Sequence, residues 1–380
     1  MVEMVVEASK AIALTAKLCR PRVIPMYPIT PQTHIVENIA ELINNGEFDA
    51  EMIHAESEHS ACSALMGAQA AGLRTFSATA SQGLALMFEV LPIVSGNRLP
   101  CVMTVANRAL SAPINIWGDH SDAVSVRDLG WIQLYVESTQ EAVDTLIQLY
   151  KICENKDVLL PGMLCIDGFT LSHVYERAFI PEQKDVDEFL PPYEPHVVLD
   201  PERPATMGPI AFPNSYMEFK KMQQEAMVNA IKVIEKTNKE FGKKFGRRYG
   251  NGLIETYRME DAKYAVVGMG TLISTARTVV DKLRSKKEKV GLVKIKSLRP
   301  FPANLLRKTL ENLKVVAVID RHISLGYEGP LFTDLRSALY GSDLKIASYI
   351  AGLGGRDITA KHIEKVFMDM KKGKYGGWLL

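Results

Sequence analysis

The stretch "EMIHAESEHSACSALMGAQAAG" (residues 51–72) crowds two histidines and three glutamates into its first nine positions, then turns to Ala, Ser and Gly. Three readings of the polar half stand open: a metal site, a catalytic acid, or the charged front edge of a helix. A metalloprotease helix needs H-E-x-x-H, which sets two imidazoles one turn apart on one face. Here Glu58 precedes His59 directly and His54 lies upstream on a strand-like segment, so the two rings do not converge. The helix-edge reading has Ser57 as the cap, with Glu56 and Glu58 complementing the helix dipole. It leaves the following turns unexplained. Ser60, Ala64, Gly67 and Ala71 leave almost nothing to fill space, which suits close approach by another backbone or by a flat cofactor.

Outward from this helix, strands and helices alternate, which predicts an α/β fold with a parallel sheet covered on both faces. Residues 3–19 show helical spacing, and "RVIPMYP" (22–28) reads as a strand ending in a turn. Ile35, Ile39 and Leu42 share one face of a helix closed near Gly46. Strands are expected at 75–80, 100–106 and 158–167, with helices at 83–96 and 139–155. From 175 to 213 prolines accumulate without any period, predicting an extended arm, and 215–246 reads as a long amphipathic helix. A second α/β unit opens with "AKYAVVGMG" (262–270), continues through a helix and the strand "KVGLVKIKSL" (289–298), and includes a helix from 303 and the strand "KVVAVID" (314–320). The boundary is placed near 250, dividing the chain into 1–250 and 251–380.

The totals bound the function classes. A chain of 380 residues, 47% hydrophobic and 23% charged, has the composition of an ordinary globular protein. A net charge of +1 gives no basic field for nucleic acid or a membrane surface. Short basic runs such as 243–248 read as solvated faces. The five cysteines are scattered and form no C-x-x-C pair, which argues for a reducing compartment and against an iron–sulfur or zinc site on this chain. No apolar run has the ~18–20 residues of a membrane span, and no signal peptide is visible, so the cytoplasm is expected.

Other stretches carry chemistry. In "MYPITPQT" (26–33), Pro28 and Pro31 bracket Ile29 and Thr30, a stiff turn that would hold the Thr30 hydroxyl at the carboxyl end of a sheet. An ordinary capping turn explains it equally. In "SATASQGLALMFEVL" (77–91), Ser81, Gln82 and Gly83 enter a helix whose amides could receive an anion or a polar ring. "ANRALSAPINIWGDHSD" (106–122) sets Arg108 near Asp119, His120 and Asp122, either to clamp a substrate carboxylate or to form an internal ion pair. "VVGMGTLISTA" (266–276) has Gly268-x-Gly270 after a strand. Ile273 stands where a dinucleotide fingerprint needs Gly, so the match is partial.

Together "YPITPQT", "ESEHSA", "SQGLALM", "NRALSAPINIWGDHSD" and "DGFTLSH" (167–173), with the later "GPIAFPNSYMEFKK", "YRMEDA", "RPFP" and "GLGGRDIT", resemble the alpha subunit of the pyruvate:ferredoxin oxidoreductases, within the 2-oxoacid:ferredoxin oxidoreductase family. The similarity runs along essentially the whole chain. It implies a thiamine diphosphate-binding fold whose first domain binds the aminopyrimidine ring, followed by a transketolase C-terminal-like domain. It also implies an oxidoreductase that decarboxylates pyruvate to acetyl-CoA with reduction of ferredoxin. Glu58 takes the position that hydrogen-bonds the pyrimidine N1′, Thr30 and Arg108 those that hold substrate, and Pro28, Ile29, Ser81 and Gln82 further cofactor-binding positions. Mg2+, the diphosphate site and the [4Fe–4S] clusters are expected on partner beta and delta chains, with a gamma chain completing the complex, so this chain alone should be inactive. The 2-oxoisovalerate enzymes share "YPITP" and "ESEHSA" and remain an alternative, as does a non-catalytic assembly subunit. His54, His59, His120 and His173 receive no role.

Overall fold

A computed structural model describes residues 1–380. Its first 180 residues supply β1 (Val2–Glu7), β2 (Val23–Met26), β3 (Glu51–His54), β4 (Phe76–Thr79), β5 (Val102–Asn107), β6 (Ile132–Tyr135), β7 (Gly162–Asp167) and β8 (Tyr175–Ile180). Between them run α1 (Ala8–Cys19), α2 (Thr33–Asn44), α3 (Glu58–Ala70), α4 (Ser81–Leu86), α5 (Leu91–Gly96), α6 (Ser121–Ser125) and α7 (Thr139–Cys153). Next come α8 (Gln183–Phe189), the long α9 (Tyr216–Phe245), β9 (Ile254–Tyr257), β10 (Tyr264–Gly268), α10 (Leu272–Ser285), β11 (Val290–Ile295) and β12 (Ser297–Arg299). The chain closes with α11 (Ala303–Leu310), β13 (Val315–Asp320), α12 (Pro330–Ala338), β14 (Lys345–Ala351), α13 (Ala360–Lys371) and β15 (Gly376–Leu379).

The first sheet has the order β12-β6-β7-β5-β4, and a bridge between Val23 and Thr75 continues it to β2 and β3. Every pair is parallel except β12 with β6. β4, β5, β6 and β7 are buried along their whole length, and the apolar runs of "VMTVAN" and "GMLCID" are what two covered faces require. Parallel strands bring their carboxyl ends to one edge. There the turn after β2, the start of α4, the loop after β5 and Asp167 at the end of β7 meet, the edge where open α/β sheets take ligands. The second sheet, β15-β14-β13-β10-β11-β9, is parallel except for its last strand, β9. No helix is long and apolar enough to cross a membrane.

Several expectations are corrected. The helix expected from residue 3 starts at Ala8, because "VEMVVE" is held as a strand by antiparallel pairing with β8. The expected helix 83–96 is broken into α4, a single 3₁₀ turn and α5, and Pro92 sits in the first turn of α5, where its missing N–H is harmless. The arm is shorter than 175–213, since its first part forms β8 and α8. The irregular chain begins after Leu190, where Pro191 and Pro192 stop α8. The strand "KVGLVKIKSL" is divided between the two sheets: β11 lies in the second, and β12 crosses to the edge of the first. β6 is a further strand that the sequence reading lacks. The basic run 243–248 is not all solvated, because Arg247 forms a two-pronged pair with buried Asp144 on α7 (2.7 and 2.8 Å).

Candidate active site

Ser57 is extended and its Oγ accepts the Ser60 N–H at 3.2 Å, so α3 begins as its sequence predicts. Glu58 is the first residue of that helix and only 6% exposed. Its carboxylate lies over the backbone of α4. A Cβ at Gly83 would stand 2.6 Å from Glu58 Oε1 and 2.6 Å from Thr79 Oγ1, so only glycine leaves the acid its space. Thr79, at the end of β4, is buried and its hydroxyl has no hydrogen-bond partner. Buried polar groups are normally paired, so the Thr79 hydroxyl is a polar atom with capacity to spare on the same face of Gly83 as Glu58. His54 is exposed at the end of β3, and His59 faces Glu89 across 3.4 Å.

Thr30 and Arg108, 78 residues apart in the chain, are brought together. Arg108 donates from Nη1 to the Thr30 carbonyl at 3.0 Å and from Nε to the Asn115 carbonyl at 2.7 Å. The internal ion pair does not form: Asp122 takes the backbone N–H of Arg108 at 2.9 Å, and the guanidinium bonds only carbonyls. Burial lowers the pKa of Arg108, and the charge of Asp122 behind it works the other way. Pro28 and Thr30 are exposed and Ile29 half-buried. Their turn is braced by buried Gln32, which accepts from the Ile29 N–H (3.3 Å) and donates to Ala78 O (2.8 Å) on β4.

Ser81 is the first residue of α4 and has φ +48°. Its N–H, expected to be open to an anion or ring, donates instead to Asp122 Oδ2 at 2.9 Å. Its hydroxyl lies 2.6 Å from both the Ala109 carbonyl and Gln82 Oε1. Gln82 itself is half-buried.

Asp167 explains the glycine-rich turn before α10. Its Oδ2 accepts the Thr271 N–H at 2.7 Å, and a Cβ at Gly270 would lie 2.8 Å from the same oxygen. Arg321 (2.6 Å) and His120 (2.7 Å) complete the shell. This is a carboxylate from the first sheet seated at a helix start of the second. Burial alone would raise the pKa of Asp167, but the Arg321 and His120 charges hold it well below the usual carboxylate range. Nearby, Asn115 donates to Gly354 O (3.1 Å) and Asp119 accepts Gly354 N (3.0 Å), which joins "NIWGD" to "GLGGRDIT". His173 instead packs at a tilt against the rings of His34 (4.2 Å) and Phe169 (4.7 Å).

The family model for pyruvate flavodoxin/ferredoxin oxidoreductase, thiamine diphosphate-binding, matches residues 15–239. The chain belongs to the pyruvate:ferredoxin oxidoreductase family. Core domain II of these oxidoreductases matches residues 262–363. The chain is 52% identical over 97% of its length to pyruvate synthase subunit PorA of Methanosarcina barkeri, covering 92% of that protein. It is 51% identical over 97% of its length to the same subunit of Methanocaldococcus jannaschii (95% of that protein). It is 45% identical over 98% of its length to ketoisovalerate oxidoreductase subunit VorA of Pyrococcus horikoshii (94% of that protein). A solved 2-oxoglutarate:ferredoxin oxidoreductase from Magnetococcus marinus, with 2-oxoglutarate, coenzyme A and succinyl-CoA bound, has the same fold. Its TM-score is 0.74 at 19% identity, over 97% of this chain and 65% of that one.

Within this oxidoreductase fold, Glu58, Thr30, Arg108, Ser81 and Gln82 all lie at the carboxyl edge of one sheet or on the helices leaving it. Gln32, Thr79 and Asp122 are additions. Each is polar and fully buried or nearly so, which no local pattern announces. Asp122 stands in the quoted "DHSD", but nothing in the spacing says that its partners are Ser81 and Arg108.

Proposed function

We infer that this chain is one half of the active site of a heteromeric, thiamine diphosphate-dependent enzyme. The reaction is the reversible oxidative decarboxylation of pyruvate to acetyl-CoA and CO2, with ferredoxin as electron acceptor. The observation that carries this reading is the placement of Glu58, a buried carboxylate at the start of α3 packed on the bare backbone of Gly83, where it is held for a proton-sharing contact with a ring nitrogen. Thiamine diphosphate, when bound, supplies the electron sink for the carbanion left by loss of CO2. Glu58 holds and returns a proton at the pyrimidine N1′, the work of a positioned general acid–base. Pro28, Ile29, Ser81 and Gln82 shape the space around the ring. Arg108, with Nε and Nη1 spent on carbonyls, keeps Nη2 for the substrate carboxylate, and Thr30 stands beside it.

The diphosphate with its Mg2+, and the [4Fe–4S] clusters that pass electrons to ferredoxin, belong to the beta and delta chains of the complex, alongside a gamma chain. The cofactor-facing domain spans 1–250 and the second domain 251–380. Pyruvate is favoured over 2-oxoisovalerate because the similarity to the pyruvate synthase subunits is greater, 52% and 51% against 45%. The test is to isolate the complex containing this chain anaerobically and follow coenzyme A-dependent reduction of a viologen dye with each acid in turn. A strong pyruvate preference is expected. Preference for 2-oxoisovalerate would keep the mechanism and replace the substrate, and a complex inactive with both would sink the reading.

A further inference from the structure

Asp122, at the start of α6, is 2% exposed and pairs its carboxylate with no cation. Four donors fill it. Oδ2 accepts the backbone N–H groups of Ser81 and Arg108, both at 2.9 Å, and Oδ1 accepts Asn107 Nδ2 at 2.8 Å and Ala123 N at 2.7 Å. Two of these donors belong to separate parts of the site. Ser81 leads into Gly83, whose bare Cα gives Glu58 its space, and Arg108 carries the guanidinium that reaches Thr30. Ser81 also holds a left-handed backbone (φ +48°), a conformation that a non-glycine residue keeps only when its surroundings enforce it.

Resting on the function proposed above, we propose that Asp122 is a positioning residue for that reaction, locking the Glu58 side of the site and the Arg108 side into one geometry. A single oxygen receiving both N–H groups fixes Ser81 and Arg108 relative to each other more tightly than two separate contacts would. A carboxylate is required there. An amide has one acceptor oxygen, so after Asp122→Asn the –NH2 group would face either the two backbone N–H groups or the Asn107 and Ala123 donors. The negative charge also sits behind Arg108 without capping its guanidinium, which leaves the cation available to substrate. Burial raises the Asp122 pKa above the ordinary carboxylate value, and its four donors work against that rise by favouring the carboxylate.

The experiment uses the assembled complex carrying Asp122→Asn or Asn107→Ala. It measures kcat and KM for pyruvate, KM for coenzyme A, and amide hydrogen exchange of the peptides covering Ser81 and Arg108. Asp122→Asn is expected to speed exchange at both peptides and to lower kcat/KM for pyruvate roughly 10–100-fold, the scale of hydrogen bonds to a charged group, with KM for coenzyme A unchanged. Asn107→Ala, which removes one donor and no charge, should do the same to a smaller degree. Faster exchange with unaltered pyruvate kinetics would overturn the proposal. So would parallel losses for pyruvate and coenzyme A, which would mark a merely structural role. Should the Asp122→Asn complex fail to assemble, Asn107→Ala decides, and unchanged pyruvate kcat/KM in that variant overturns the proposal. A wild-type complex inactive with pyruvate would strike the function reading itself, a result distinct from active wild type with unaffected variants.

Discussion

Glu58 opens a helix and Asp167 closes a strand, yet both are buried acids that press an oxygen into the space a glycine leaves, 2.6 Å from a Cβ at Gly83 and 2.8 Å from one at Gly270. Asp167 is saturated: Arg321, His120 and the Thr271 amide surround it, and it clasps the two sheets together. Glu58 shares the face of Gly83 with the Thr79 hydroxyl, itself without a partner. Similar local geometry therefore serves opposite ends. Where the chain supplies the counter-charge, the acid is a joint between domains. At Glu58 the chain supplies none.

The contrast is broken most readily at Glu58. In the assembled complex Glu58→Gln is expected to lower kcat by ~10²–10⁴-fold, the range of general acid–base catalysis, with Tm and assembly unchanged. A variant with near-normal turnover would make this an assembly subunit with structural motifs only. Asp167→Asn should behave in reverse. It leaves the Arg321 guanidinium, 6% exposed, without its counter-charge, and a broken buried pair costs about 3–5 kcal/mol of stability, visible in denaturant unfolding. Retention of full stability would show that the junction does not depend on that acid.

Gly83→Ala sharpens the comparison. The added methyl must displace the Glu58 carboxylate or the Thr79 hydroxyl, and overpacking of this kind costs ~1–3 kcal/mol. The loss should appear mainly in turnover, roughly tenfold or more, with a small fall in Tm. Equal damage to stability and rate would place Glu58 among the structural acids.

The smallest effect at neutral pH concerns a second acid held by counter-charges. Glu141 on α7 is fully buried against Lys294 of β11 (2.5 Å) and Lys296, which leads into β12 (3.2 Å). Burial alone would raise its pKa, but the two lysines lower it from 4.5 to about 2. A folded pKa below the unfolded one adds stability that is complete above pH 4.5 and is lost as the pH falls towards 2. Acid titration of Tm should therefore show a decline in that window, and Glu141→Gln should flatten it. An unaltered pH profile would remove Glu141 from the junction.

Much of this was legible in order along the chain. The buried runs of β5 and β7, the Ser57 cap, the one-sided apolar pattern of α2 and the long α9 follow from local chemistry that tertiary contacts did not override. The residues quoted from separate motifs did converge, since parallel strands necessarily deliver their carboxyl ends to one edge. Other features were illegible for a common reason. "SLR" carries no mark of which sheet it joins, and "VEMVVE" reads as strand only when β8 lies beside it. The Gly268-x-Gly270 turn looks open to a phosphate until Asp167, 104 residues from Thr271, is seen filling it.

The sequence by itself determined the α/β alternation and the cap that starts α3, because helix caps, glycine placements and apolar periods are local and act within a few residues, and its quoted motifs carried the resemblance to the family. Only the tertiary structure decided which charges are spent. Asp122 lies beneath Ser81 and Arg108, Asp167 beside Arg321, and Glu58 opposite a glycine and an unpaired hydroxyl. Whether a buried carboxylate is satisfied depends largely on groups brought from as far as 154 positions away, and no local spacing encodes that.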